Sequence, residues 1–172
     1  GTHLIDALND AGVEITAIFA PEHGIRGDEH THGETTTDEA TGASIYSLYD
    51  DTRAPQPEEL EGVDIMLFDL PDIGCRFYTY ISTLGLAMQA AAAADIAFVV
   101  LDRPNPSGGS IVSGFTRTPD QTSFIGQYPV PATYAMTIGE LAGAIAGEAW
   151  LPGLEGLDLT VERGHRVALV GS

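Results

Sequence analysis

Lysine is absent from this sequence, and cysteine is nearly so. All 7 basic residues are arginines, and they stand against 25 acidic residues in 172, which gives a formal net charge of −18. Few cations remain to neutralise phosphates, so the composition argues against nucleic acid or an anionic membrane surface as a partner. One cysteine, Cys75, cannot form an internal disulfide.

Several familiar signatures are also missing. No apolar run approaches the roughly 20 residues of a membrane-spanning helix. No GxGxxG motif occurs, so no dinucleotide cofactor is expected. The acids and histidines of residues 28–34 fit no standard metal spacing and are better explained as a solvated acidic loop. The sequence therefore predicts no metal and no other cofactor.

Helical and extended patterns alternate along the chain. Helical spacing is found in 3–11, 57–61, 77–94 and 137–150, and strand patterns in 14–20, 44–49, 64–70, 96–101 and 157–162. Residues 28–41 are polar and aperiodic. The alternation predicts an α/β fold with a doubly wound, mainly parallel sheet and helices on both faces, as one domain over 1–172. Because 1–12 lead from a helix directly into a strand, we expect a fragment that lacks its first strand.

Polar residues cluster just after three predicted strands. Glu22 and His23 follow the strand predicted over 14–20. The end of the strand predicted over 64–70 and the residues after it supply Asp69, Asp72, Arg76 and Tyr78, and the strand predicted over 96–101 is followed by Asp102, Arg103 and Asn105. Parallel sheets bind ligands outside the carboxyl ends of their strands, so these side chains are expected at one rim.

Converging carboxylates beside arginine and tyrosine suit acid–base hydrolysis of an oxygen-rich substrate. Glycoside cleavage uses one protonated carboxyl and a second group as base or nucleophile. Glu22 is the best candidate for the acid, and His23 stands beside it to tune or orient it.

Structural explanations compete at each of these positions. Glu22 and His23 also suit a pair of turn residues, and Asp69 and Asp72 suit caps of the following helix. Asp102 and Arg103 also suit a structural ion pair. Glu140 is left out of the site, because Thr137 and Glu140 form a capping box that accounts for it.

Six ordered blocks together resemble the peptidoglycan exo-β-N-acetylmuramidase family. The blocks are FAPEHGIRG (19–27), SLYD (47–50), FDLPDIGCRFYTYISTL (68–84), VLDRPNP (100–106), SFIG (123–126) and MTIGELA (136–142). The resemblance implies a Rossmann-like domain, followed by a C-terminal domain that completes the cleft. It implies muramyl saccharides derived from peptidoglycan as the substrate, and a secreted or periplasmic location.

The resemblance also implies roles for individual residues. Glu22 becomes the catalytic acid, with His23 beside it. The remaining rim residues and Tyr134 become substrate-binding residues, and an arginine among them suits the lactyl carboxylate of muramic acid. Two departures stand out: Pro71 replaces a glutamine that is common in the family, and Tyr134-Ala135 replaces His-Gly.

Two other functions stay open at this point. One is a metal-dependent hydrolase that uses Glu22, His23, Asp69 and Asp102. The other is a non-catalytic module that binds muramyl glycans, an alternative that the Tyr134 departure keeps open.

Overall fold

The computed structural model describes residues 3–21, 35–49 and 52–163. Contacts along the chain divide it into two compact units, 1–63 with 166–172, and 64–165. No helix in the described ranges is long and apolar enough to cross a membrane. The single domain expected over 1–172 stays a prediction.

The first unit holds a short helix and a small mixed sheet. His3 caps the helix, because its Nδ1 accepts a hydrogen bond of 3.3 Å from the backbone N–H of Ile5. Strand β3 lies in the middle of the sheet, parallel to β1 and antiparallel to β2. The elements are α1 (Leu4–Asp10), β1 (Ala17–Ala20), β2 (Thr36–Thr37), β3 (Ser44–Ser47) and a 3₁₀ turn (Pro57–Leu60).

The prediction of an aperiodic loop over 28–41 is wrong at its end. Thr36 and Thr37 form β2, and Asp38 is only 5% exposed. The Asp38 carboxylate accepts hydrogen bonds from the backbone N–H of Thr41 at 3.0 Å and from its hydroxyl at 2.9 Å. These bonds close a tight turn into β3, which explains why a buried acid is tolerated there. Residues 28–34 lie outside the described part of the chain.

The second unit is a parallel three-stranded sheet with two helices. Its strand order is β4-β5-β6, with α2 between β4 and β5 in the chain and α3 between β5 and β6. This is the α/β alternation that the sequence predicted. The elements are β4 (Ile65–Phe68), α2 (Tyr80–Ala94), β5 (Ala97–Asp102), a 3₁₀ turn (Pro119–Gln121), α3 (Ile138–Gly147) and β6 (Leu159–Arg163).

Strand β4 is buried on one face, although a continuous apolar run such as residues 64–70 is typical of a strand buried on both. Met66 and Phe68 are buried, but Ile65 is 55% exposed and Leu67 40% exposed. The described residues leave this second face of β4 open. An unbroken apolar run therefore does not by itself show that both faces of a strand are covered.

Helix α2 begins three residues later than its apolar pattern predicted. The predicted stripe began at Phe77, which is 60% exposed, whereas Ile81, Leu84 and Met88 are completely buried. Phe77 shares the helical spacing but lies in the loop before the helix. The predicted end is confirmed, because Asp95 adopts the left-handed conformation that closes many helices.

The Tyr128 ring fills the space beside α2. Tyr128 is completely buried and stacks on Trp150 with ring centroids 6.1 Å apart. Its hydroxyl lies directly over Gly85, so closely that a Cβ at Gly85 would overlap it. That hydroxyl has no hydrogen-bond partner among the described residues, and burial raises its pKa. The helix thus needs glycine at position 85, and the tyrosine hydroxyl beside it is a buried donor left unsatisfied.

Replacing Tyr128 with phenylalanine should stabilise the protein. The change removes a buried hydroxyl that lost its hydration without gaining a partner, so we expect the free energy of unfolding to rise by about 1 kcal/mol. Urea denaturation followed by circular dichroism measures it. Tyr78→Phe is the control, because Tyr78 is only half-buried, so removing its hydroxyl should change stability much less. A loss of stability in Tyr128→Phe would contradict the assignment.

Candidate active site at the strand ends of the second unit

Strands β4 and β5 deliver an ion pair to the edge of their sheet. Asp69 directly follows β4, and Arg103 directly follows β5. The Arg103 guanidinium donates a hydrogen bond from Nη2 to Oδ1 of Asp69, and the two side chains are 31% and 24% exposed. The sequence placed both residues at this rim, and the partly exposed pair is open to a ligand.

Asp102 holds the start of helix α3. Its Oδ2 accepts a hydrogen bond from the Thr137 hydroxyl and its Oδ1 accepts one from the backbone N–H of Gly139, both at 2.8 Å. The helix dipole favours an anion at this end. The predicted capping box is confirmed, with bonds of 3.1 Å in both directions between Thr137 and Glu140. Of the two sequence interpretations of Asp102, the hydrogen bonds favour a structural role, with Asp69 rather than Asp102 as the ion-pair partner of Arg103.

Asn105 cross-links the rim through its amide. Its Nδ2 donates hydrogen bonds of 2.9 Å to the carbonyls of Tyr134 and Met136, and its Oδ1 accepts one of 2.9 Å from the backbone N–H of Ser107. Gly74 lies against this amide with φ at +72°, and a Cβ there would overlap it. With these partners in place, Asn105 binds three backbone groups, two in the segment before α3 and one in its own loop, instead of presenting a free amide.

Asp72 and Tyr134 form a hydrogen-bonded pair that links distant parts of the sequence. The Tyr134 hydroxyl donates to Oδ2 of Asp72 at 2.5 Å, and the backbone N–H of Gly74 donates to the same oxygen at 3.2 Å. Oδ1 of Asp72 is buried without a partner. Desolvation by burial raises the pKa of Asp72, against the opposing effect of the Tyr134 bond. Helix α2 begins at Tyr80 with Thr79 as its N-cap, so Asp72 does not cap it.

Arg76 and Tyr78 lie on the loop that follows Asp72. The Arg76 guanidinium donates from Nη1 to the carbonyls of Phe115 and Val130, at 2.7 and 2.6 Å. The Tyr78 ring packs against Tyr80 with centroids 4.7 Å apart. Arg76 therefore fixes the course of a distant loop, and no ion pair involves it among the described residues.

Six of the predicted site residues lie at the carboxyl edge of this sheet or are hydrogen-bonded to groups there. They are Asp69, Asp72, Asp102, Arg103, Asn105 and Tyr134. Glu22 and His23 lie outside the described residues. Within the described ranges, no three His, Cys, Asp or Glu side chains are grouped as metal ligands would be. Sequence reasoning missed the contributions of Gly74 and Ser107, although glycine two residues after an aspartate is a common turn signal.

Removing the Asn105 amide should loosen the whole rim. Asn105→Ala leaves two carbonyls and one N–H without their partner, so we expect the free energy of unfolding to fall by about 2–3 kcal/mol. Chemical denaturation measures this. The control is Asn9→Ala on the exposed face of α1, which should change stability by no more than about 0.5 kcal/mol. Equal effects at the two positions would show that the Asn105 bonds contribute nothing.

Comparison with known proteins relates this chain to one family. Residues 1–165 match the family model described as "Exo-beta-N-acetylmuramidase NamZ, N-terminal". The chain is 52% identical over 132 residues to "Peptidoglycan beta-N-acetylmuramidase NamZ" of Bacillus subtilis (strain 168), a match that covers 76% of this chain and 32% of that protein. The chain therefore spans about a third of the length of this relative.

Two crystal structures of DUF1343 family proteins from Bacteroides fragilis NCTC 9343 share the fold. One has a TM-score of 0.83 and 45% identity, and covers 92% of this chain and 40% of the other. The second has a TM-score of 0.81 and 39% identity, and covers 93% and 42%. The expected Rossmann-like fold class and the family resemblance are both confirmed. The chain belongs to the family of N-terminal domains of the exo-β-N-acetylmuramidase NamZ.

Proposed function

We propose that the protein of which this chain is part is an exo-β-N-acetylmuramidase. It hydrolyses the glycosidic bond of N-acetylmuramic acid at the non-reducing end of peptidoglycan fragments. The observation that carries the proposal is the rim of the second unit, where the Asp69–Arg103 ion pair follows the strand ends and the Asp72–Tyr134 hydrogen bond lies on the loop after β4, in a chain of this family. Since the chain spans about a third of its curated relative, the rest of the protein is proposed to complete the cleft.

Glu22 is the proposed catalytic carboxyl, with His23 as its neighbour. It follows Pro21, directly after β1, where a parallel strand ends and active-site residues are typically found in α/β folds. Glycosidases need two carboxyl groups or their equivalents, one able to give a proton and one charged. Glu22 supplies one of the two.

Arg103 is the proposed ligand of the lactyl carboxylate. Its side chain is 31% exposed, and it makes one hydrogen bond to protein, to Asp69, in the described structure. Its remaining N–H groups make no hydrogen bond to another described residue, and a guanidinium pairs with a carboxylate through two parallel bonds. Asp69 fixes the direction of this guanidinium, which prepares it for the sugar acid.

The other predicted binding residues fall into two groups, according to whether their side chains already make hydrogen bonds within the protein. Asp102 and Asn105 hold backbone segments in place, and Arg76 holds the carbonyls of a distant loop. Tyr78 has a hydroxyl with no partner in the described residues, which suits a sugar hydroxyl. These residues are proposed to shape the substrate pocket, with direct contacts at Asp69, Arg103 and Tyr78.

Glu22→Gln in the full-length protein should abolish release of a chromogenic N-acetylmuramide, because the amide neither gives nor takes the proton that the reaction moves. We expect a loss of at least about 100-fold in kcat/KM. Glu14→Gln, at an exposed position in the same unit, is the matched control and should keep full activity.

Three results would contradict the proposal. Full activity in Glu22→Gln would remove Glu22 from the reaction. Binding of muramyl sugars by the full-length protein without any turnover would instead show a non-catalytic binding module. Loss of activity with a chelator and recovery with Zn²⁺ would show the metal-dependent alternative.

A further inference from the structure

A short antiparallel ladder of three segments fixes the loop between β5 and α3. Thr133 lies in its middle and pairs with Cys75 on one edge and Ser113 on the other. The backbone N–H of Thr133 donates to the carbonyl of Ser113 at 2.9 Å, and the N–H of Ser113 donates back at 3.1 Å. The Arg76 guanidinium also donates to the carbonyl of Phe115 at 2.7 Å. The backbone of all three segments is therefore held in place.

Five large apolar side chains beside this ladder are exposed. Phe115 is 92% exposed, the highest value for a large apolar residue that the structure describes, and the other four are between 39% and 61% exposed. Each lies within two residues of Cys75 or Ser113, which is at most about 7 Å of extended chain. Because the backbone is fixed, these side chains do not fold back into the core. They form the apolar patch, which consists of Ile73, Phe77, Ile111, Val112 and Phe115.

The patch belongs to a part of the sequence that is nearly free of acids. Residues 73–77 contain none and residues 103–139 contain one, Asp120, although the chain has 25. The guanidiniums of Arg76 and Arg117 donate to backbone carbonyls of this same region. Aromatic residues, arginine and few acids are the composition of an interface core, whereas the solvated surface of so acidic a chain carries carboxylates.

The relatives indicate what is at hand to cover the patch. This chain spans less than half the length of each relative that it matches. Polypeptide that is joined to the chain meets the patch at a high effective concentration. A second copy must instead be recruited from solution against the repulsion between two net charges of −18. These terms favour an occupant that belongs to the same molecule.

We infer that the apolar patch is the docking surface for the remaining part of the protein, outside residues 1–172, with the Phe115 ring as its main anchor. The inference rests on the proposal that a longer protein completes the cleft, and it is independent of the reaction chemistry. The occupant presents an apolar surface with a recess for the Phe115 ring. Aromatic anchors in such recesses carry much of the energy of an interface.

Docking at the patch brings the remaining polypeptide beside the candidate active site. The ladder continues directly into the rim, because the backbone N–H of Tyr134 donates to the carbonyl of Gly74 at 3.0 Å. The Tyr134 side chain is in turn bonded to Asp72. A body seated on the patch therefore lies next to the strand ends, where it is able to form the other wall of a cleft.

Photochemical crosslinking identifies the occupant. The photoreactive amino acid 4-benzoylphenylalanine is placed at Phe115 in the full-length protein, where it keeps a benzyl group at an exposed position. Irradiation should join position 115 to peptides outside residues 1–172 of the same molecule, which mass spectrometry identifies. The control carries the same amino acid at Ala93, an exposed position near the end of α2 and so at the opposite edge of the sheet, and should not give this product.

The crosslinked peptide decides among the alternatives. A covalent dimer joined through residues 1–172 would overturn the inference in favour of an interface between copies. A crosslink to residues 1–63 of the same molecule, or no crosslink at all, would overturn it as well. Absence of muramic acid release by the wild-type protein, with the expected crosslink present, would contradict the proposed function and leave the docking surface intact.

Thiol accessibility measures the same coverage without crosslinking. In a Cys75→Ser background of the full-length protein, Phe115→Cys should react with a maleimide at least about 100-fold more slowly than Ala93→Cys, because the docked part must first open. The protection should not depend on protein concentration. Equal rates would show an open surface, protection that grows with concentration would show a second copy, and protection that requires an added muramyl saccharide would show a ligand site. Each of these results would overturn the inference.

Discussion

The amide of Asn105 is the interaction on which the candidate site depends. It joins the end of β5 to the segment before α3 through two carbonyls, and it lies against Gly74 in the loop after β4. An asparagine side chain offers two donors and an acceptor in one plane, and nearly all of that capacity is used here. The approach of Tyr134 to Asp72 joins two of these segments, so it benefits from the spacing that the amide sets.

A rim that carries several acids in a chain with net charge −18 must limit their mutual repulsion. The structure does so differently at each acid. Asp69 is balanced by a guanidinium, Asp102 by a helix end, and Asp72 by burial that disfavours its charged form. These arrangements leave neighbouring carboxyl groups with different chemistry, although the sequence presents them as equivalent aspartates. An anionic ligand would therefore meet less negative charge at this edge than the composition would suggest.

The sequence predicted the elements and the edge of the sheet where polar residues gather, but not the bonds among them. Strand ends and the Thr137 capping box are local patterns, and both are visible within a few residues. The bond from Tyr134 to Asp72 spans 62 residues and that from Thr137 to Asp102 spans 35, and no local pattern encodes either. The predicted start of α2 at Phe77 was wrong for a related reason, because the helical spacing of apolar residues begins before the backbone becomes helical at Tyr80. The roles of Glu22 and His23 rest on the sequence alone.

The contact between Tyr128 and Gly85 restricts how this domain is able to change over evolutionary time. A side chain at position 85 would occupy the place of the tyrosine hydroxyl, so an alanine there requires a smaller residue at position 128 first. Phenylalanine at position 128 removes that hydroxyl and keeps the ring that stacks on Trp150, so this change is tolerated alone, whereas alanine at position 85 is not. The two positions are therefore expected to change in a fixed order, with position 128 changing before position 85.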